Sequence, residues 1–83
     1  MIDPLYAPLR DFLVTRPQAS LLLGFAEVER ILGRALPPAA RRRRAWWAND
    51  QAHCQALAWL VAGWRVEFVD LSDELVHFAR LPA

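Results

Sequence analysis

The stretch from Leu36 to Val66 constrains the fold more than any other part of the chain. It holds all four tryptophans of the sequence and a run of four arginines, Arg41, Arg42, Arg43 and Arg44. Indole is bulky and apolar, so we expect at least one of Trp46 and Trp47 in a core, while the other can remain exposed. Rings beside guanidinium groups can also stack on bases and hold phosphates. The stretch therefore predicts either a core corner with a solvated rim or a binding surface.

Length and composition predict one domain that spans residues 1–83. With 55% hydrophobic residues, the chain can form a packed core without disulfides or a structural metal. The single cysteine, Cys54, can form neither an internal disulfide nor a thiolate zinc site, which fits a reducing cytoplasm. The sequence starts unlike a signal peptide, and no apolar run approaches the ~20 residues of a membrane helix. We therefore expect a soluble cytoplasmic protein with no membrane partner and no cofactor.

Positive charge is concentrated, although the formal net charge is only +1. The ten lysine and arginine positions are all arginine, and Arg34 and Arg41 to Arg44 lie close together with no acidic residue between them. Arginine forks onto phosphates and stacks on rings, so this cluster predicts a contact with a polyanion or with an acidic protein. Such a cluster is also common on an ordinary solvated surface, and the sequence leaves both interpretations open.

Apolar spacing and turn residues predict the secondary structure. Gly33 and Gly63 are suited to end helices, and Pro37-Pro38 indicates a turn. The predicted elements are a helix at 8–14, a strand at 20–25, a helix at 25–32, a turn at 34–39, a short helical or extended segment at 39–47, a helix at 51–62 and a β-hairpin at 65–80.

This order predicts a small single-domain α+β fold: helix–strand–helix–helix followed by a C-terminal β-hairpin, in a winged-helix-like arrangement. The lone strand would pair with the hairpin. The segment between Gly33 and Asn49 is longer than the ~3–4-residue turn of a helix-turn-helix. A small α+β domain with its own topology is therefore the alternative.

The helix at 51–62 is predicted to have two distinct faces. The stripe predicted to face the core consists of Ala56, Leu57, Leu60 and Val61. The face predicted to point to solvent consists of Gln51, Gln55 and Trp59, and glutamine is suited to the N6 and N7 edge of adenine. Asn49 or Asp50 is predicted to cap the first turn.

The hairpin is predicted to contribute its apolar positions to the same core. These positions are Val66, Phe68, Leu75 and Phe78. The central cluster is predicted to contain Trp64, Leu57, Leu60, Phe68 and Ile31. Alternation of polar and apolar residues along 65–71 is typical of a strand with one buried face.

Asp50 and His53 lie three residues apart and would be neighbours on one helical turn. Such a pair can do acid–base work, but no plausible nucleophile, second carboxylate or phosphate-binding loop accompanies it. The same residues are typical of a helix start, so we expect capping and no enzymatic activity. His77 and Cys54 would extend the pair to a conceivable metal set, but the spacing fits no common metal site.

The segment from Ile31 to Val66 also resembles a family of small uncharacterised bacterial domains. Their pattern is close to ILGRxLPPxA…AWWxN…HxQAxAWLxAGWxV, and the segments FAEVERILG and DPLYAPLRDFL are similar to the same family. The resemblance covers residues 3–78 and implies that family's architecture, with no known activity. It also implies a serine near position 54 in the relatives, which argues against an essential thiol at Cys54.

From the sequence, two functions remain open. The first is a small non-enzymatic nucleic-acid-binding module, in which the arginines hold the backbone, the helix at 51–62 faces a groove and the hairpin flanks it. Its predicted contacts are Arg41, Arg42, Arg43, Arg44, Trp47, Asn49, Gln51, Gln55, Trp59 and Arg65. The second is a protein-interaction module, such as a subunit or a phage-type inhibitor of a larger assembly, which would bind an acidic protein surface and could form a homodimer.

Overall fold

The computed structural model describes residues 2–82. Its helices are α1 (Ala7–Val14), α2 (Phe25–Leu32), α3 (Pro38–Arg42) and α4 (Cys54–Val61), with a 3-10 segment at Arg44–Trp47 between α3 and α4. Its strands are β1 (Ser20–Gly24), β2 (Trp64–Asp70) and β3 (Leu75–Arg80). The predicted α+β class is confirmed, while the order differs from the predicted one because α3 and the 3-10 segment occupy the region left open at 39–47. Among the described residues, no helix is both long and apolar enough to cross a membrane.

The three strands form one antiparallel sheet in the order β1-β3-β2. One face of this sheet carries the strand residues that belong to the hydrophobic core, Leu23, Trp64, Val66, Val69, Val76 and Phe78. The helices cover this face, because α2 contacts β1, α4 contacts β2, and α1 packs on both of those helices. The other face of the sheet is open, and we call it the open face.

A β-bulge in β2 decides which residues reach the open face. Val66 is paired with Phe78, and Phe68 is paired with the next residue back, His77, so Glu67 is an extra residue without a partner. The extra residue shifts the alternation, and Phe68 points to the open face with 53% of its surface exposed. The prediction that Phe68 belongs to the core is therefore wrong, whereas Val66 and Phe78 are buried as predicted.

Helix α4 begins at Cys54, later than the predicted residue 51. Asp50 makes a turn ahead of the helix: its Oδ1 accepts a hydrogen bond from the Ala52 N–H at 2.9 Å, and its carbonyl accepts one from the His53 N–H. His53 occupies the N-cap position and makes no side-chain cap. The prediction that Asn49 or Asp50 caps this helix is wrong, because local turn formation competes with capping.

The buried face of α4 differs from the predicted one. Ala56 is buried as predicted, but Gln55 and Trp59 are buried as well, whereas Leu57 and Leu60 are half-buried and Val61 is 56% exposed. Nearly every residue of α4 is apolar, so the apolar pattern does not distinguish its faces, and the largest side chain, Trp59, takes the interior. Gln55 can be buried beside it because its Nε2 donates to a main-chain carbonyl at 3.0 Å.

Three buried tryptophans, Trp47, Trp59 and Trp64, form the centre of the core. Each indole N–H has an acceptor: the Ala40 carbonyl for Trp47 at 2.8 Å, Asn49 Oδ1 for Trp59 at 2.9 Å and the Leu13 carbonyl for Trp64 at 3.0 Å. These bonds remove the cost of burying a polar N–H with each ring. Of the remaining residues predicted for the central cluster, Ile31 and Leu60 pack partly buried against this core.

Candidate nucleic-acid interface

The four consecutive arginines do not act alike. Pro38 stands near the start of α3, and the helix ends after one turn at Arg42, so the run crosses from a helix into an extended residue, Arg43. Arg41 faces back toward the domain, where its Nη2 lies 2.8 Å from Glu29 Oε2 and its Nη1 contacts Glu74 Oε2. Arg41 therefore joins α3 to α2 and to the hairpin turn.

The carboxylate of Glu29 is the centre of this junction. It accepts a hydrogen bond from the Leu36 N–H at 2.8 Å and forms an ion pair with Arg41. The hydrogen bond from Leu36 and the one from Arg41 lower the pKa of Glu29 from its ordinary value of 4.5. The same pairing, first with Glu29 and then with Glu74, raises the pKa of Arg41. Arg41, which was predicted to bind nucleic acid, thus connects parts of the domain to each other.

Because the pKa of Glu29 is lower in the folded protein, its contribution to stability is present above the unfolded pKa and is lost as pH falls through the folded pKa. We expect Glu29→Gln to lower the denaturant midpoint of unfolding at about pH 7, and the difference from wild type to shrink between about pH 5 and pH 3. Chemical unfolding at several pH values measures this. Asp11→Asn is the control, since that exposed carboxylate accepts no bond from a main-chain N–H. A difference independent of pH would contradict the assignment.

Arg42, Arg43 and Arg44 are exposed, and we call them the arginine patch. None of them has a carboxylate oxygen within ion-pair distance among residues 2–82, in contrast to Arg41. The patch directly follows Arg41, which contacts Glu74 in the turn between β2 and β3, and the 3-10 segment that begins at Arg44 contacts β2. The pKa of Asp70 is lowered mainly by hydrogen bonds from the Asp73 N–H and the Ser72 hydroxyl, and the charge of Arg44 contributes least. The arginine patch therefore lies on the same side of the domain as the hairpin turn.

Trp47, predicted to contact nucleic acid, lies inside the domain. Its ring stacks on Phe25 at 5.1 Å and on Trp59 at 6.0 Å, each with planes 20° apart. Both faces of the Trp47 ring are thus covered by protein. Trp46 is half-buried and meets Tyr6 edge-on at 6.0 Å, so the expectation that one ring of the pair is core and the other reaches the surface holds.

Asn49, another predicted contact, acts as a substitute for a strand neighbour. Its Nδ2 donates to the Val66 carbonyl at 2.8 Å, and its Oδ1 accepts from the Val66 N–H at 2.8 Å. The same Oδ1 accepts from the indole of Trp59. The side chain thus pairs with both main-chain groups of a β2 residue, as a residue of an adjoining strand would. Among the predicted polar contacts, Gln51 is exposed in the turn before α4, whereas Gln55 is buried.

The open face brings together residues that the sequence did not group. Cross-strand pairing places Leu22, His77 and Phe68 in one row from β1 to β2. The rings of Phe68 and His77 stack with centroids 5.0 Å apart, and His77 Nδ1 is 3.4 Å from Glu67 Oε2. Arg65 lies in the next row, paired with Ala79. The sequence did carry a signal for this face: the adjacent apolar residues at 68 and 69 break the alternation of β2, as a bulge does.

The Asp50–His53 pair stands apart from both surfaces. Asp50 Oδ2 and His53 Nε2 are 3.9 Å apart, and both side chains are exposed. Cys54 is exposed beside them. Within residues 2–82, no three histidine, cysteine, aspartate or glutamate side chains converge as a metal ion would require.

Comparison with known proteins gives one match. A family model described as a domain of unknown function (DUF7662) covers residues 6–81. This bears out the resemblance to an uncharacterised family over almost the whole chain. No curated protein and no solved structure matches the sequence.

Proposed function

The chain belongs to the DUF7662 family of domains of unknown function, and we propose that it is a non-enzymatic module that binds single-stranded nucleic acid. The observation that carries the proposal is the arginine patch, three consecutive exposed arginines without carboxylate partners among the described residues, on the side of the hairpin turn. Unpaired guanidinium groups bind phosphates without first giving up an ion pair.

The outer edge of the open face supplies the second part of the site. Phe68 exposes its ring on β2, Arg65 precedes it on the same strand, and the arginine patch lies toward the hairpin turn that follows the strand. Cations on both sides of an exposed ring suit a strand whose phosphates flank a stacked base. The carboxylate of Asp70 offsets part of the positive charge at one end, so we assign most of the affinity to the arginine patch.

Helix α4 has a smaller part in this proposal than the sequence predicted. Pairing of β1 with β3 of the hairpin supports a winged-helix-like arrangement, in which α4 would occupy the place of a recognition helix. Gln55 and Trp59, which would read bases from α4, are buried. We therefore propose contacts through phosphates and stacking, with little selection among base sequences.

The test is the salt dependence of binding to fluorescent single-stranded DNA and RNA oligonucleotides. Each phosphate contact of a single strand contributes about 0.7 to the slope of log affinity against log salt, so Arg42→Ala/Arg44→Ala should flatten the slope by about 1.4. The matched control is Arg30→Ala/Arg34→Ala, which removes two exposed arginines outside the patch. Both double variants should melt close to wild type, because solvated arginines contribute little to stability.

Two results would remove this proposal. One is the absence of binding by the folded protein at about 50 mM salt, where contacts of this kind are strongest. The other is an equal loss of slope in the control. The second candidate, a protein-interaction module, would then be favoured by the exposed apolar residues of the open face, Leu22 and Phe68.

A further inference from the structure

Strand β1 has an unpaired edge. In an antiparallel ladder, the residues that bond to the neighbouring strand alternate with residues whose N–H and C=O point away from it. The Arg80 N–H donates to the Ala19 carbonyl and the Phe25 N–H to the Glu74 carbonyl, so positions 19, 21, 23 and 25 face β3. Positions 20, 22 and 24 therefore direct their main-chain groups outward.

One of these outward groups is satisfied within the domain, and this confirms the alternation. The Gly24 N–H donates to no strand and instead donates to Glu27 Oε1 at 3.0 Å. The main-chain groups of Ser20 and Leu22 have no hydrogen-bond partner among residues 2–82. They form a short row of donors and acceptors open to a second strand.

The strand lacks the features that keep such edges apart. Its sequence, Ser-Leu-Leu-Leu-Gly, has no charged residue and no proline, and it holds no bulge in its pairing with β3. Leu22, at its centre, is 56% exposed on the open face. The formal net charge of the chain is +1, so two copies repel each other weakly.

We propose that β1 pairs antiparallel with β1 of a second copy around a twofold axis at Leu22, which joins two sheets into one six-stranded sheet. A twofold axis requires a self-complementary strand. Leu22 would meet Leu22 of the other copy, and each Ser20 would meet Gly24, so small residues stand opposite each other at both ends. The Leu22 N–H and C=O of the two copies exchange hydrogen bonds, whereas the Gly24 N–H stays with Glu27 and the Gly24 carbonyl stays with the first turn of α2.

The side chains fit the same register. Leu22 lies in one row with His77 and Phe68 of its own sheet. Pairing about Leu22 would continue this row into its twofold copy, and directly opposed apolar side chains stabilise antiparallel pairs. The dimer would carry two arginine patches, one on each copy. A nucleic acid could then contact two patches at once, a consequence that rests on the proposed function, although the dimer does not.

Sedimentation velocity over about 10 µM to 1 mM protein tests the association, a range that covers weak and moderate affinities. Leu22→Lys places two cations opposite each other at the axis and should raise the dimer dissociation constant at least about tenfold. Phe68→Lys is the matched control: Phe68 is equally exposed on the same face but lies on β2. It should leave the dissociation constant unchanged.

Amide exchange gives a readout specific to the edge. The Leu22 amide should exchange more slowly as protein concentration rises, while the exchange of the bonded amides of β3 stays the same. A monomer at all concentrations would overturn the proposal. So would equal weakening by Leu22→Lys and Phe68→Lys, since that result would indicate packing of two open faces instead of pairing of two edges.

Discussion

Replacing Trp59 with alanine should lower the free energy of unfolding by about 3–5 kcal/mol, the range for large aromatic side chains removed from cores. The ring is fully buried and lies between Trp47, at 6.0 Å, and Phe78, at 5.7 Å. Removing it leaves a void between α4 and the sheet and takes one partner from Asn49. The loss therefore combines transfer, cavity and hydrogen-bond contributions.

Two further variants locate the effect in the buried face of α4. Trp59→Phe keeps most of the ring and removes its N–H, so it should cost less than Trp59→Ala. Val61→Ala removes apolar groups from the exposed face of the same helix and should change stability by less than about 0.5 kcal/mol. Denaturant unfolding measures all three. Equal costs for Trp59→Ala and Val61→Ala would show that the orientation of α4 is different.

Asn49→Ala should lower the free energy of unfolding by about 2–4 kcal/mol, a large effect for a residue at the surface. The change leaves the N–H and C=O of Val66 and the indole N–H of Trp59 without their partner. Each buried group left unsatisfied costs about 1–3 kcal/mol, and water can replace part of the loss near the surface. Asn49 thus contributes to stability mainly by satisfying these hydrogen-bonding groups, and little through burial of its own side chain.

Asn49→Asp separates the two halves of this contact. Its carboxylate can still accept from the Val66 N–H and the Trp59 indole, but it brings a second oxygen toward the Val66 carbonyl. We expect a cost smaller than that of Asn49→Ala and a retained, protected indole proton of Trp59 in the NMR spectrum. Asp50→Ala is the neighbouring control and should cost about 1 kcal/mol at most, since it removes only one turn contact. An Asn49→Ala variant as stable as wild type would exclude the proposed pairing.

Local signals predicted much of the fold. Helix α2 begins and ends where its sequence indicates: Gly33 adopts a φ of 73°, a left-handed conformation that glycine accepts without strain, and its N–H bonds back to the Glu29 carbonyl. Strand β1 followed from a short apolar run, and the hairpin followed from alternation and turn residues. These features depend on neighbours in sequence, so a single sequence contains them.

The errors concern features that tertiary contacts decide. Arg41 looks the same as the arginine patch in the sequence, and only Glu29 and Glu74, both distant along the chain, select it for an ion-paired junction. Asn49 was predicted as a cap or a nucleic-acid contact because its partner, Val66, is reached across space. Nothing in the sequence around a polar residue near a helix start indicates that its side chain bonds to a strand distant along the chain.

In the candidate site too, some features follow from the local sequence and others are decided by tertiary contacts. The exposure of the arginine patch agrees with a charge cluster that was visible in the sequence, because solvated charge needs no partner. The open face was missed, because a single bulge residue, Glu67, turns Phe68 from the core to the surface. One inserted residue exchanges the two faces of the strand segment that follows it, and local strand propensity does not distinguish the two arrangements.

The contact between Asn49 and Val66 also limits how far the protein can assemble. Growth of a sheet by edge pairing needs two free edges per molecule, as linear polymerisation needs two functional groups per monomer. At the middle of β2, the side chain of Asn49 already occupies the N–H and C=O that an incoming strand would use. With this position of β2 occupied and the edge of β1 available, edge pairing of the kind proposed above would stop at two copies, and a fibre would not propagate.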